Sequence, residues 1–215
     1  LADDHAMVAE GLSRLLEDNF ELVGHVTAGD ALLREAAEKQ PEVIITDITM
    51  PLLNGLDAIR LLRRRGITAK AVVLTMHSDP FLAAEALRAG ASAYVLKHAA
   101  GEELIRAVKE VLAGGVYVSL ELGSRVLRDL ASSSGSQRSE TRLTPRQRQV
   151  LQLTAEGRSM KQIARVLGIS RRTAESHKYQ LMRTLGVGST PQLVQHAIRF
   201  GLISVDAQTT TMMPS

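Results

Sequence analysis

The sequence predicts an α/β domain built on a doubly wound parallel sheet, followed by a smaller all-α domain. Short β-branched apolar runs alternate with segments of helical period over the first part of the chain. These runs are apolar throughout, as strands are when helices cover both faces of a parallel sheet. The stretch ASSSGSQRSE at residues 131–140 is small and polar, so we expect it to link the two domains.

The candidate strands after the first are ELVGHV (21–26), VIIT (43–46), AVVLT (71–75) and AYVL (93–96). Leu1 and Ala2 would form only the end of a first strand, so we expect residues of this strand to be missing before Leu1. Apolar residues three or four apart give the intervening segments helical faces. Two such faces comprise Val8, Leu12, Leu15 and Leu16, and Leu104, Ile105, Val108 and Leu112.

Composition narrows the class of protein. The chain has no cysteine, which excludes disulfides and thiolate metal sites and is typical of a reducing compartment. No apolar run approaches the roughly 20 residues of a membrane-spanning helix, and the sequence shows no signal-peptide pattern. We therefore expect a cytoplasmic protein with no membrane partner.

Charge is divided unevenly along the chain. Residues 1–135 contain 14 Lys and Arg against 19 Asp and Glu, a net charge of −5, whereas residues 136–215 contain 12 against 4, a net charge of +8. A basic region of this kind suits a polyanion such as a nucleic acid. A merely solvated cationic surface is an alternative that charge alone leaves open.

Polar residues follow the predicted strands at the edge where ligands bind in open α/β sheets. Asp3 and Asp4 follow the first strand, Asp47 the third and Lys97 the fifth, while Thr75 ends the fourth. Carboxylates that face one another repel unless a cation neutralises them, and oxygen ligands with open positions suit Mg²⁺. The pattern therefore predicts a magnesium site held by three carboxylates.

The same five residues suggest phosphoryl chemistry. With its charge screened, the carboxylate of Asp47 can attack phosphorus, while Thr75 and Lys97 bind phosphoryl oxygens. An isolated Asp after a strand is more often a helix cap, and Thr75 or Lys97 alone would be unremarkable. Their joint occurrence at successive strand ends favours the phosphoryl-transfer interpretation.

These residues, in order, resemble the motifs of response-regulator receiver domains over residues 1 to about 115. The matches are Asp3-Asp4, Asp47-Ile48-Thr49-Met50-Pro51 through Gly55, Thr75 and Lys97. The resemblance implies a flavodoxin-like, parallel five-stranded sheet of order 2-1-3-4-5. It also implies phosphorylation of Asp47 by a cognate histidine kinase or a small phosphodonor.

The resemblance also implies further roles. Mg²⁺ would be held by Asp4, Asp47 and the backbone carbonyl of Thr49, with Asp3 acting partly through water. Tyr94 matches the family's switch aromatic, which turns inward when Thr75 moves toward the phosphoryl group, although a partly buried strand tyrosine is an equal alternative. Thr49 and His77 occupy positions that tune the lifetime of the phosphorylated state.

Helix-start and helix-stop residues divide the basic region into short helices. Thr144 and Pro145 open the first, Ser159 with Gln162 opens the second, and Ser170 opens the third. The short turn between the second and third helices predicts a helix-turn-helix.

The third helix has an apolar inner face and a polar outer face. Ala174, His177 and Leu181 would pack inward. The outer stripe, which would enter the major groove of DNA, comprises Arg172, Glu175, Ser176, Tyr179 and Arg183. Arg171 and Lys178 would meet phosphates. A charged outer face is usually only solvated, but its place in a basic helix-turn-helix domain favours DNA.

Residues 143–187 resemble the LuxR-type helix-turn-helix, which makes the whole chain similar to NarL/FixJ-type response regulators. The matches are Leu143-Thr144-Pro145-Arg146, Val150-Leu151, Glu156-Gly157, Ile163-Ala164, Leu167, Ile169-Ser170, Thr173, His177 and Leu185-Gly186-Val187. The predicted DNA-binding set is therefore Arg171, Arg172, Thr173, Glu175, Ser176, His177, Lys178, Tyr179 and Arg183.

The chain departs from this family at two places. Met160-Lys161-Gln162 stands where Asn and then Lys-Glu are usual, and Glu175 stands where a Lys or Arg is usual. A carboxylate cannot bind phosphate or guanine, but it could accept from cytosine N4. Either the site preference is unusual or the DNA affinity is reduced.

A fourth helix, capped by Thr190 with Pro191 at its start, ends at Gly201. The resemblance assigns it to a homodimer on double-stranded DNA, and core packing is an equal alternative. We predict four segments: a receiver domain (1–117), a linker that starts helical and becomes flexible (118–141), the LuxR-type domain (142–203) and a disordered tail (204–215).

The sequence therefore predicts a two-component response regulator, a transcription factor controlled by phosphorylation of Asp47 and not an enzyme. One alternative is a receiver that is not phosphorylated and is controlled by a protein partner. Another is an aspartyl-phosphate hydrolase, but Thr49 stands where such enzymes usually carry a second Asp as general acid.

Overall fold

The computed structural model describes residues 1–132 and 143–203, and the chain divides into two compact units, Leu1–Pro145 and Arg146–Ser215. Most of the Ser-rich stretch predicted as a flexible linker, and the tail predicted as disordered, lie outside the described residues. Among the described helices, none is both long and apolar enough to cross a membrane.

The first unit contains a parallel sheet. Its regular strands are β1 (Val43–Thr46), β2 (Lys70–Thr75), β3 (Ala93–Leu96) and β4 (Tyr117–Val118), paired in the order β1-β2-β3-β4. Ala2 forms isolated parallel bridges with Val26 and with Thr46, which places the chain start between the segment at Val26 and β1.

The predicted five-stranded sheet differs from the structure in its strands, although the α/β class and the order of the predicted segments agree with it. The first two predicted strands appear only as single bridges, from Ala2 to Val26 and from Ala2 to Thr46. The short edge strand β4, which the sequence did not predict, pairs with β3 through Tyr117 and Val118.

Helices cover both faces of the sheet. They are α1 (Ala6–Glu17), α2 (Gly29–Lys39), α3 (Gly55–Arg64), α4 (Pro80–Ala89), α5 (Ala100–Leu112) and α6 (Leu120–Ser132), with a 3₁₀ turn at Lys97–Ala99. Alternate residues of β2 serve opposite faces, as the period of a strand requires. Val72 and Leu74 pack in the cluster of α1 and α5, whereas Ala71 and Val73 pack in the cluster of α3, α4 and α6.

Helix α6 begins where the sequence predicted the helical start of the linker. It is amphipathic, and its Leu122 and Val126 are 0% and 1% exposed in the core cluster shared with α4 and Tyr94. On its outer side, Leu127 is 69% exposed. The described part of this segment is therefore packed as part of the first unit.

The second unit contains α7 (Pro145–Ala155), α8 (Met160–Val166), α9 (Arg171–Leu185) and α10 (Thr190–Arg199). Ser159 and Gln162 form a capping box at α8, and the Ser170 side chain accepts from the N–H of Thr173 at 3.0 Å to cap α9. The cap of α10 is Ser189, one residue before the predicted Thr190, because Ser189 forms the capping box with Gln192. The fully buried core residues of these helices include Val150, Leu151, Ile163, Ala174, Leu181 and Leu193.

The docking of α6 predicts unequal effects of two identical substitutions. Leu122→Ala removes a fully buried side chain and should lower the free energy of unfolding of the first unit by about 2–5 kcal/mol. Leu127→Ala, on the exposed side of the same helix, should change it by less than about 0.5 kcal/mol. Urea unfolding followed by circular dichroism measures both, and equal effects would show that α6 is not packed on the core of the first unit.

Candidate functional site

Three charged side chains meet at the carboxyl end of the sheet. Nζ of Lys97 lies 2.7 Å from Oδ2 of Asp3 and 2.6 Å from Oδ2 of Asp47. The side chains of Asp3, Asp47 and Lys97 are only 1%, 5% and 6% exposed. Because a buried charge is costly unless it is paired, the ammonium group of Lys97 offsets the cost of burying these two acidic side chains.

Backbone pairing sets the positions of the two carboxylates. The N–H of Asp47 donates to the carbonyl oxygen of Ala2 at 2.9 Å, which aligns the chain start with the end of β1 and brings Asp3 beside Asp47. Oδ1 of Asp47 accepts from the N–H groups of Ile48 at 2.6 Å and Thr49 at 3.4 Å. The loop after β1 therefore holds one oxygen of Asp47 while Lys97 holds the other.

Gly55 lies at the glycine of the receiver motif and contacts the same loop. Its N–H donates to the carbonyl oxygen of Ile48 at 2.8 Å. A Cβ atom at Gly55 would collide with the backbone carbonyl of Asp47. A side chain at this position would therefore displace the backbone that carries Asp47.

The carboxylates also form a group that suits a divalent cation. Ligand atoms of Asp3, Asp4, His5 and Asp47 all lie within 4.8 Å of one another. A set dominated by carboxylate oxygens, of which Asp4 is partly exposed, fits a hard ion that keeps some of its water. His5 was not among the predicted site residues; its Nδ1 lies 3.0 Å from Oδ1 of Asp4, and its place directly after Asp4 was the available signal.

Thr75, Thr49 and Tyr94 are connected through His77. The N–H of His77 donates to Oγ1 of Thr75 at 3.3 Å, and its Nε2 lies 3.1 Å from Oγ1 of Thr49. The hydroxyl of Tyr94 donates to the carbonyl oxygen of His77 at 2.7 Å. Thr75 and Tyr94 are fully buried, so Tyr94 already lies inside the fold in this structure.

Burial and neighbouring charges set the protonation of these groups. Burial lowers the pKa of Lys97, but the carboxylates of Asp47 and Asp3 together raise it by more, so its pKa lies above the ordinary value and the side chain is charged. Burial lowers the pKa of His77, so its ring is mainly neutral at pH 7. Burial raises the pKa of Tyr94, and the charges of Asp79 and Asp47 raise it further.

The predicted DNA-binding residues all lie on α9. Ala174 and Leu181 are fully buried on its inner side. His177 and Lys178 are half-buried, and Nζ of Lys178 donates to Oγ1 of Thr190 at 3.1 Å. The exposed members of the predicted set are Arg171, Arg172, Thr173, Glu175, Ser176, Tyr179 and Arg183. The structure therefore presents most of the set on one accessible surface.

Contacts within the second unit fix the position of α9. Nη2 of Arg146 on α7 donates to the carbonyl oxygen of Leu167 at 2.8 Å, at the turn between α8 and α9. Gly168 in this turn and Gly186 after α9 have positive φ angles, which glycine adopts without strain. The short turn and the capped α9 form the helix-turn-helix that the sequence predicted.

Comparison with known proteins defines the class as a DNA-binding response regulator. The family model described as the response regulator receiver domain matches residues 1–109. The model described as bacterial regulatory proteins, luxR family, matches residues 141–197. The chain belongs to the LuxR-family response regulators, with a receiver domain followed by a LuxR-type DNA-binding domain.

Relatives match over nearly their whole length. The transcriptional regulatory protein MctR of Rhizobium johnstonii is 36% identical, covering 95% of this chain and 94% of that protein. The oxygen regulatory protein NreC of Staphylococcus carnosus is 33% identical, covering 94% and 97%. RcsB of Salmonella enterica serovar Typhimurium, solved on the promoter rprA with the phosphomimetic BeF3⁻, is 30% identical with a TM-score of 0.63, covering 91% and 95%.

The buried ion cluster predicts a large stability effect at Lys97. Lys97→Met leaves Asp3 and Asp47 buried without their shared cation, so in metal-free buffer at pH 7 the free energy of unfolding of the receiver should fall by about 3–5 kcal/mol. Lys109→Met, which loses only an exposed contact with Asn19, should change it by less than about 0.5 kcal/mol. Urea unfolding in EDTA makes the comparison, and a Lys97→Met protein as stable as wild type would contradict the pairing.

Proposed function

We propose that phosphorylation of Asp47 controls how this LuxR-family response regulator binds DNA. The observation that carries the proposal is the buried carboxylate of Asp47, held by Lys97 and surrounded by Asp3 and Asp4. A nucleophilic carboxylate needs its own charge and that of the incoming phosphate to be screened, and these neighbours supply both an ammonium group and ligands for a cation.

Asp3, Asp4 and Asp47, with the backbone carbonyl of Thr49, are the residues that would hold Mg²⁺. When bound, this ion would screen the negative charges of the carboxylate and the phosphoryl group. An oxygen of Asp47 then forms a bond to phosphorus, and the bond from phosphorus to the phosphohistidine nitrogen of a cognate kinase breaks. The imidazole leaves with that electron pair, and Asp47 becomes an acyl phosphate.

The new group adds roughly 1.5 to 2 negative charges beside Lys97. Lys97 is close enough to pair with a phosphoryl oxygen, since its Nζ already binds an oxygen of Asp47. We propose that the hydroxyl of Thr75 moves to another phosphoryl oxygen and releases its contact with the N–H of His77. Because the carbonyl of His77 accepts from Tyr94, that change would reach Tyr94 as well.

Tyr94 provides a route from the phosphorylation site to α6. It packs in the same core cluster as Leu122 and Val126 of this helix. Helix α6 is the last described element of the first unit before the DNA-binding unit in the sequence. This contiguous chain of packed residues supports the proposed coupling between Asp47 and α6.

We propose that α9 enters the major groove of double-stranded DNA with its exposed polar face. Four cations lie on this helix: Arg171, Arg172, Lys178 and Arg183. A homodimer, paired through α10, would place two copies of α9 on a two-fold symmetric site. The chromosome of a bacterial cell lies in the cytoplasm, so we propose that this DNA-binding regulator is cytoplasmic.

Two rival functions differ in what they predict. A hydrolase would release phosphate from many ester molecules per chain, but Thr49 gives no carboxylic acid at the position where a hydrolase would need one. A receiver governed only by a protein partner would need no charged pocket around Asp47. The buried Asp3, Asp47 and Lys97 cluster favours covalent phosphorylation of a regulator, and we propose that the chain is not an enzyme.

Phosphorylation predicts a defined mass change. Incubation with acetyl phosphate and Mg²⁺ should add a single phosphoryl group to the wild-type chain and none to Asp47→Ala, and the group should be lost on treatment with hydroxylamine, which cleaves acyl phosphates. Asp30→Ala, at an exposed carboxylate of α2, should be modified like wild type. Intact-mass spectrometry makes the measurement. Modification of Asp47→Ala to the wild-type extent would place the phosphate elsewhere.

The orientation of α9 predicts an effect on DNA affinity. Arg172→Ala removes an exposed cation from the proposed groove face and should weaken DNA binding by about 5-fold or more. Arg34→Ala removes the same charge from an exposed helix of the receiver and should leave binding within about 2-fold. Fluorescence anisotropy with a labelled duplex at fixed salt compares them, and equal effects would argue against α9 as the reading helix.

A further inference from the structure

Glu175 is the one acidic residue of α9, whose sequence is RRTAESHKYQLMRTL. Residues three and four apart share a helix face, so it lies between Arg171 and Arg172 on one side and Lys178 and Tyr179 on the other. This cationic face is proposed to meet DNA. A carboxylate in its middle cannot bind phosphate, because both groups are negatively charged acceptors. Its presence there calls for a different partner.

In the free protein this partner is Arg171. Nε of Arg171 donates to Oε1 of Glu175 at 2.8 Å, one helical turn away. The two side chains are 72% and 49% exposed. An exposed pair four residues apart on a helix shifts an equilibrium by only about a factor of two, so the pair opens readily when another partner becomes available.

The major groove limits what that partner can be. Phosphate oxygens and the O6 and N7 atoms of guanine are acceptors, and a carboxylate also only accepts. The exocyclic N4 amino group of cytosine is a donor at the groove floor and pairs well with a glutamate. Glu175 is exposed on α9, whereas Ala174 and Leu181 are fully buried, so such a contact is available to Glu175.

We infer that Glu175 is a specificity-determining residue that accepts a hydrogen bond from the N4 amino group of a cytosine in the major groove. The inference rests on the DNA binding proposed above. At a matching site the cytosine replaces or joins Arg171 as the partner of Glu175. At other bases the carboxylate faces the acceptors of guanine or thymine, or the N6 donor of adenine with the repelling N7 acceptor beside it, so binding there is weakened. Glu175 therefore both alters the preferred DNA site and lowers the affinity for unrelated DNA.

The test selects duplexes from a randomised DNA library with the full chain, using wild type and Glu175→Gln in parallel. Glutamine keeps the size of the side chain and removes the negative charge. The wild-type motif should contain one position per half-site at which cytosine is preferred by about 10-fold. Glu175→Gln should shift that preference from cytosine to adenine, with which glutamine pairs, keep the other positions and bind a scrambled duplex more tightly than wild type does.

Two further variants separate base reading from a simple change of charge. Glu156→Gln removes a negative charge from the same unit at a residue that contacts Gln152 and Arg158, and it should retain the cytosine preference. In an Arg171→Ala background, Glu175→Gln should still abolish the preference if Glu175 contacts the base itself. An effect that requires Arg171 would overturn the inference, because Glu175 would then act only by holding that arginine.

Identical motifs for wild type and Glu175→Gln would also overturn it. A wild-type chain that enriches no motif at all, while remaining folded by circular dichroism, would instead contradict the proposed DNA binding. The two failures are therefore distinguishable in one experiment.

Discussion

The ammonium group of Lys97, held between the carboxylates of Asp3 and Asp47, is the interaction on which the receiver unit depends. All three side chains are almost completely buried, and Lys97 offsets the cost of burying both carboxylates, as they offset the burial of its ammonium group. The parallel sheet creates this arrangement, because it gathers strand ends from distant parts of the chain at one edge. A change of charge at Asp47 therefore alters the pairing of Lys97 with both carboxylates.

This altered pairing explains how one modified atom could affect a distant surface. Oδ2 of Asp47 is bound to Nζ of Lys97. His77 connects Thr75 with the loop after β1, because its N–H donates to Oγ1 of Thr75 and its Nε2 contacts Oγ1 of Thr49. His77 therefore connects the loop after β1 with the end of β2 and with Tyr94. The core cluster around Tyr94 extends to α6, so a rearrangement at the site has a packed route to that helix.

The sequence was sufficient to predict the α/β class and the strand ends that carry Asp47, Thr75 and Lys97, since parallel strands that are buried on both faces have a distinctive pattern. It was also sufficient for the helix-turn-helix, because Ser159, Gln162 and Ser170 are local capping signals. Those signals depend on neighbours in sequence, which is why they could be interpreted without the structure.

Other features depended on contacts between distant residues. The packing of Leu122 under α4 and the pairing of β4 with β3 arise only when the elements meet, so α6 was predicted as the start of a linker and β4 was not predicted. The position of His5 in the acidic group and the pairing of Arg171 with Glu175 depend on side-chain geometry. Residue type and spacing make such contacts possible but do not determine which atoms meet.

The central claim is that charge added at Asp47 changes DNA binding by the other unit. The most direct measurement is the DNA affinity of the full chain, before and after treatment with acetyl phosphate and Mg²⁺, for wild type and Asp47→Ala. The account predicts a change of about 5-fold or more for wild type and no change for Asp47→Ala. An unchanged affinity in a wild-type sample whose mass shows complete phosphorylation would contradict it.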